Sequence, residues 1–133
     1  MEEKRRIAII DDDEVFHLIV RKQLEMKNLD CEVLKFYNGE EAAKYFKEGK
    51  NGGMPDLVML DVNMPVKDGW GFLEEYKLLP DTVKSKIRVY MVTSSVIQSD
   101  IDRATNNSDV VDFVSKPITN EKLEEIFLNT ATS

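Results

Sequence analysis

The stretch "DLVMLDVNMP" at residues 56–65 decides the fold, because it joins a short apolar run directly to an acid. Leu57 to Leu60 are all apolar, a pattern typical of a strand that is buried on both faces of a parallel sheet. Asp61 follows at once, where the strand should meet its loop. Asp61 is therefore either a solvated strand end or a carboxylate positioned for chemistry, and the other acids of the chain distinguish the two.

Composition limits the classes of protein that the chain can belong to. Its 133 residues, 42% hydrophobic and 32% charged, predict a single domain over 1–133 with a core of about 5–130 and no output domain. A net charge of -7 argues against direct binding to nucleic acid or to an anionic membrane. The charged start "MEEKRR" leads into no secretory segment, and one cysteine fits a reducing compartment. We therefore expect a cytoplasmic protein.

Short apolar runs alternate with longer amphipathic segments, which is the pattern of a βαβ series. Strands are predicted at 6–10, 31–37, 56–60, 87–92 and 110–115. Helices are predicted at 14–28, 39–49, 69–79, 98–107 and 120–130, the third ended by Pro80 and the fourth closed by Asn107 in a left-handed conformation. In the first helix, Val15, Leu18, Ile19 and Leu24 form the predicted buried stripe.

Charges within two of the strands predict the strand order. Glu32 and Lys35 interrupt the second strand and Asp112 the fifth, as is typical of sheet edges. With right-handed crossovers, the order is 2-1-3-4-5, a doubly wound α/β sheet of the flavodoxin-like (βα)5 class. Ligands of such sheets bind beyond the carboxyl ends of the strands where the winding reverses, here between strands one and three.

Polar side chains gather at that predicted edge. Asp11 and Asp12 follow the first strand, Asp61 the third, Thr93 the fourth and Lys116 the fifth. Neighbouring carboxylates repel one another, and Mg²⁺ with its preference for oxygen ligands resolves the repulsion. A carboxylate is also a competent nucleophile toward phosphorus, and the Lys116 ammonium could neutralise a transferring phosphoryl group.

The stretches "AIIDDDE", "DLVMLDVNMPVKDGWGF", "YMVTSS" and "DFVSKPI" make the chain resemble a response-regulator receiver domain (CheY-like) of bacterial two-component signalling, from Ile7 to Phe127. The resemblance implies that Asp61 is the phosphoacceptor. It implies that Asp12 binds Mg²⁺ directly, that Asp11 binds it through water, and that the backbone carbonyl of Asn63 completes the metal site.

The same resemblance assigns roles to the ends of the last two strands. Thr93 would hydrogen-bond one phosphoryl oxygen and Lys116 would pair with another. Thr93 and Phe113 would form the switch, with Phe113 turning into the space that Thr93 vacates. The Lys116-Pro117 peptide bond would be cis.

The function implied is that of a stand-alone receiver. A histidine kinase or a histidine phosphotransfer protein would donate the phosphoryl group to Asp61, and the domain would slowly dephosphorylate itself. Phosphorylation would then alter a face that binds an unknown downstream protein or forms a phosphorylation-dependent homodimer, with Val96, Ile97 and Ile101 as candidate contacts.

Three other functions fit the sequence less well. A flavodoxin-like electron carrier would need a Ser/Thr/Gly-rich phosphate loop after the first strand, and the chain has no such loop there. A phosphatase of the haloacid dehalogenase type needs a second Asp two residues after its nucleophile, and this chain has Asn63 there. A phosphorylation-independent interaction module would be expected to lose part of the acidic set, which is complete here. His17 is predicted to be a partly exposed helical histidine without a role in phosphotransfer.

Overall fold

A computed structural model describes residues 5–49, 53–94 and 97–131. Its five strands form one parallel sheet in the order β2-β1-β3-β4-β5, which confirms the predicted order. The strands are β1 (Arg5–Ile10), β2 (Cys31–Phe36), β3 (Leu57–Leu60), β4 (Arg88–Thr93) and β5 (Val110–Ser115). The winding reverses between β1 and β3, which are hydrogen-bonded neighbours.

Helices cover both faces of this sheet. They are α1 (Glu14–Met26), α2 (Gly39–Glu48), α3 (Gly69–Tyr76), α4 (Asp81–Lys84), α5 (Gln98–Thr105) and α6 (Asn120–Ala131). Alternate residues of β1 point to opposite faces of the sheet. Ile7 and Ile9 pack with α1 and α6 on one face, and Ala8 and Ile10 pack with α2, α3 and α5 on the other. Both faces of the central strands are therefore buried, as their continuous apolar runs predicted.

Side-chain caps fix where the main helices begin. Asp13, Asn38 and Asp68 accept backbone N–H groups at the starts of α1, α2 and α3. Thr119 Oγ1 accepts the Lys122 N–H at 3.0 Å and so caps α6. Such caps satisfy donors that have no partner within the helix. Two of these capping acids thus stand in the loops that follow β1 and β3.

The predicted buried stripe of α1 was right for Leu24 and wrong for its other three residues. The helix buries Phe16, Val20 and Leu24, whereas Val15 (61% exposed), Leu18 and Ile19 face outward. Residues 16, 20 and 24 are also spaced by one helical turn, so the helix carries two apolar stripes. Periodicity alone cannot tell which of two such stripes meets the sheet. The outcome is a helix with an apolar outer surface.

Two helix ends also differ from the prediction. The third predicted helix ends at Tyr76, and a separate short helix, α4, begins after Pro80. The four residues of α4 are too few to show an apolar period. Asn107 does not close α5 in a left-handed conformation, because within the described ranges only Asn28, Val66 and Gly49 have positive φ.

None of the helices in the described part of the chain combines the length and apolarity needed to cross a membrane. Val96, one of the candidate partner contacts, lies outside the described residues.

Candidate functional site

Asp61 lies directly beyond β3 and is largely enclosed, with 7% of its surface exposed. Its backbone N–H donates to Ile10 O at 2.9 Å, which extends the pairing of β1 with β3 by one residue. Its Oδ1 accepts the N–H of Val62 at 2.8 Å. Of the two carboxylate oxygens, Oδ2 faces the ammonium of Lys116 at 3.9 Å. The carboxylate is thus oriented by the backbone that follows it.

Asp11 and Asp12 bring two more carboxylates to this edge of the sheet. Asp11 is 1% exposed, whereas Asp12 is exposed. Asp11 Oδ1 accepts the N–H of Asp13 at 2.8 Å, and Oδ2 accepts a hydrogen bond from Lys116 Nζ at 2.7 Å. One oxygen from each of Asp11, Asp12 and Asp61 lies within 4.8 Å of the others, as in a group that could hold a metal ion.

Burial is the main influence on the ionisation of Asp11. Removal from water raises the pKa of its carboxyl group, and the negative charge of Asp61 raises it further. The hydrogen bonds from Lys116 and from the Asp13 backbone act in the opposite direction and lower it. A buried acid pair with one lysine therefore carries uncompensated negative charge, which is a setting that favours a cation.

Lys116 supplies the positive charge from the end of β5. Its backbone N–H donates to Thr93 O at 2.9 Å, so the ends of β4 and β5 stay joined where the side chain turns toward the acids. The Lys116-Pro117 peptide bond is cis, as the resemblance implied. The ammonium also lies 4.4 Å from the centroid of the Phe16 ring on α1. One lysine thus contacts two acids and an aromatic face.

The remaining predicted residues surround this group. Thr93 is fully buried as the last residue of β4, and Phe113 is half-buried on β5 opposite Met91. Asn63 is exposed two residues beyond Asp61. The strand ends therefore bring Asp11, Asp12, Asp61 and Lys116 together, with Thr93 linked to them through the backbone of Lys116.

Two residues of α1 were missed by the sequence reasoning. Phe16 lies against Lys116, and His17 is buried rather than partly exposed. His17 Nε2 is 2.8 Å from the backbone oxygen of Asp11. The only signal in the sequence was that both residues lie in the first turn of the helix that follows the acids. The first turn of that helix lies close to the end of β1, and therefore close to the site.

Comparisons with known proteins agree with this geometry. Residues 7–128 match the family described as the response regulator receiver domain, and the chain belongs to that family. It is thus a receiver domain of two-component signalling with a CheY-like fold.

Individual relatives are more distant. The transcriptional regulatory protein RprY of Bacteroides fragilis is 30% identical over 124 residues, covering 92% of this chain. The chain spans 48% of the length of that protein. A two-component response regulator from Cytophaga hutchinsonii superposes with a TM-score of 0.88 at 24% identity, covering 99% of this chain and all of that one. The phosphorylated cyanobacterial phytochrome response regulator RcpA superposes with a TM-score of 0.77 at 26% identity, covering 98% and 91%.

Proposed function

We propose that Asp61 accepts a phosphoryl group from a phosphohistidine and that this event switches a protein-interaction face. The observation that carries the proposal is the convergence of three carboxylates within 4.8 Å at the carboxyl edge of the sheet, with Lys116 Nζ reaching two of them. The likeness to RcpA, which was captured in a phosphorylated form, supports the same reading.

The nucleophile in this proposal is Asp61 Oδ2. Because Oδ1 is engaged by the Val62 N–H, Oδ2 is the oxygen that attacks phosphorus. A P–O bond forms as the P–N bond to the donor histidine breaks, and the imidazole nitrogen leaves with the electron pair. Lys116 and the Thr93 hydroxyl bind oxygens of the transferring group. Transfers of this kind depend on positioning and on charge stabilisation more than on covalent help from the protein.

The donor set fits Mg²⁺, because it consists of carboxylate oxygens. One of its members, Asp12, is exposed, so a hydrated ion can reach the site from solvent. Asp12, Asp11 through water, Asp61 and the backbone carbonyl of Asn63 would hold it. When bound, Mg²⁺ neutralises negative charge on the phosphoryl oxygens. The same arrangement would later orient a water molecule toward phosphorus, which slowly releases phosphate and restores Asp61.

The donor in this proposal is a histidine kinase or a histidine phosphotransfer protein. The outer surface of α1 suits such a partner, since Val15, Leu18 and Ile19 are exposed and apolar and begin two residues beyond Asp13. Exposed apolar patches of this kind mark protein contact sites. Val66, in the loop that follows Asp61, is 78% exposed and extends the apolar surface on the other side of the acids.

The output in this proposal is a change in the surface formed by α5 and β5. Thr93 and Phe113 would move together on phosphorylation, and Ile97 is exposed at the start of α5. A coupling of about 1–3 kcal/mol is enough to favour a downstream protein or a homodimer. Action as a stand-alone receiver in the cytoplasm remains a prediction from the sequence.

The experiment is intact-protein mass spectrometry after incubation with acetyl phosphate and Mg²⁺. We expect the mass of one phosphoryl group on the wild type, and none without Mg²⁺ or in Asp61→Asn. Asp56→Asn is the matched control, because Asp56 lies at the opposite end of β3 and accepts a backbone hydrogen bond that Asn can also accept. A wild type that gains no mass would instead favour a phosphorylation-independent interaction module.

A further inference from the structure

His17 is a buried titratable side chain to which phosphotransfer assigns no role. It is 1% exposed, and its Nε2 lies 2.8 Å from the backbone oxygen of Asp11. The Asp11 N–H continues the ladder between β1 and β2 by donating to Phe36 O at 3.0 Å, just beyond the paired residues Ile10 and Phe36. The imidazole therefore supplies a hydrogen-bond donor to the Asp11 carbonyl immediately beyond the end of β1.

The geometry defines the protonation of the ring. A carbonyl oxygen only accepts hydrogen bonds, so Nε2 must carry a proton. Nδ1 is buried and meets no hydrogen-bond partner within the described residues. Tyr37 covers the ring with a centroid distance of 4.8 Å, and its hydroxyl donates to Glu14 at 2.6 Å. The ring thus makes its one polar attachment to the backbone of Asp11.

Phe16, the preceding residue, contacts the other half of the site. Its buried ring lies 4.4 Å from Lys116 Nζ, within the range of a cation–π interaction. Lys116 in turn donates to Asp11 Oδ2 at 2.7 Å. Two successive side chains of α1 therefore contact the two members of one ion pair. Phe16 contacts the Lys116 ammonium, and His17 contacts the backbone carbonyl of Asp11.

We propose that Phe16 and His17 are positioning residues that fix the Asp11 and Lys116 side chains for metal binding and phosphoryl transfer. This inference rests on the proposed function. A purely structural role would be met better by an aliphatic residue at position 17, because burial of the unpartnered Nδ1 opposes folding. What an aliphatic side chain cannot do is donate to the Asp11 carbonyl. The hydrogen bond to the Asp11 carbonyl, rather than packing in the core, thus accounts for a polar ring at position 17.

The decisive comparison is between His17→Gln and His17→Asn. The Gln amide nitrogen reaches the position of Nε2 and keeps the donor, whereas the shorter Asn does not reach it. Both variants bury an amide, but the Asn variant should also be the less stable one, because its amide and the Asp11 carbonyl lose their hydrogen bond. His17→Leu, which has no donor, is the third variant, and urea unfolding of all three measures stability separately from the site.

Mg²⁺ affinity from titration calorimetry is the first readout. Loss of a side chain that hydrogen-bonds to a metal-binding residue typically weakens the affinity for the metal by about 10–100-fold. We expect that loss in His17→Asn and His17→Leu, and recovery of most of the affinity in His17→Gln. For Phe16→Leu we expect a drop of roughly two- to fivefold in the rate of phosphorylation by acetyl phosphate, which Phe16→Tyr restores because it keeps the ring.

Nitrogen NMR of the imidazole is the second readout, and the chain contains a single histidine, so its signals need no assignment. We expect a ring that carries a proton at Nε2. A ring protonated at Nδ1 alone would overturn the inference, as would His17→Asn and His17→Leu variants that match a competent wild type in Mg²⁺ affinity. A wild type that binds no Mg²⁺ and takes no phosphoryl group would overturn the proposed function, and this inference with it.

Discussion

Gly69 allows α3 to begin directly against the backbone of Asp61. An ideal Cβ at position 69 would lie 2.3 Å from Asp61 O, closer than a packed carbon can approach, and 3.1 Å from Val62 Cα, which is also a tight contact. The Gly69 N–H also donates to Val62 O at 2.9 Å, so the helix cannot move away without losing that bond. Gly69→Ala should therefore displace both the start of α3 and the backbone of Asp61, the proposed phosphoacceptor.

The size of the effect follows from two opposing contributions. Overpacking against backbone costs about 1–3 kcal/mol, and a contact as short as this one belongs in the upper part of that range. Ala in place of Gly in a helix returns at most about 1 kcal/mol. We expect Gly69→Ala to lower the free energy of unfolding by about 2 kcal/mol.

Gly71→Ala is the matched control within the same helix. Its Cβ would meet Lys67 Cγ at 2.7 Å, which a flexible side chain can relieve by moving. We expect this variant to match or exceed the wild type in urea unfolding and to accept a phosphoryl group normally, while Gly69→Ala is phosphorylated more slowly. Equal stability and equal phosphorylation of the two variants would refute the proposed contact between α3 and Asp61.

Three further outcomes are expected. Because burial raises the pKa of Asp11, ionisation of its carboxyl group opposes folding. The contribution of the protonated carboxyl group to stability is complete at pH values below the ordinary carboxyl pKa, and it is lost as pH rises through the pKa of the folded state. Without divalent cations, Asp11→Asn should therefore be more stable than the wild type near about pH 7, and the difference should shrink on acidification in pH-dependent urea unfolding. Arg103 lies 4.5 Å from the Trp70 ring centroid, so Arg103→Ala should shift the tryptophan emission and lower stability by roughly 0.5–1 kcal/mol; an unchanged spectrum would contradict that contact. Burial raises the pKa of the Tyr76 phenol far above its ordinary range, so its folded state loses stability as pH rises beyond about 10, and Tyr76→Phe should resist alkaline unfolding better than the wild type in a circular dichroism titration.

The sheet and most of the site could be predicted because they depend on strand ends. A continuous apolar run marks a central strand, and an acid, a hydroxyl or a lysine immediately after it must fall at the same edge. Asp61, Thr93 and Lys116 each follow their strand or end it, so their placement needed only the strand order. That order in turn came from the charges of β2 and β5.

The rotation of α1 could not be predicted in the same way. Both of its stripes are apolar, and the choice between them depends on contacts with β1 and α6 that are distant in sequence. His17 was misjudged for the same reason: an imidazole is stable on the surface or in the core, and only the carbonyl of Asp11 decides between them. Side chains that contact the site residues without belonging to the site, such as His17, show no sequence pattern that would identify them.

The ion pair between Lys116 and Asp11 joins residues that are 105 positions apart, and this has a consequence during synthesis. A growing chain exposes all three acids long before it exposes their lysine. Parallel strands gain stability only when their distant partners arrive: β1 needs β2 and β3, and Lys116 is held in place only after β5 has left the ribosome and paired with β4. If the proposed function holds, a phosphodonor would therefore find no complete site on unfinished chains, and these chains would not compete with complete ones for phosphoryl groups.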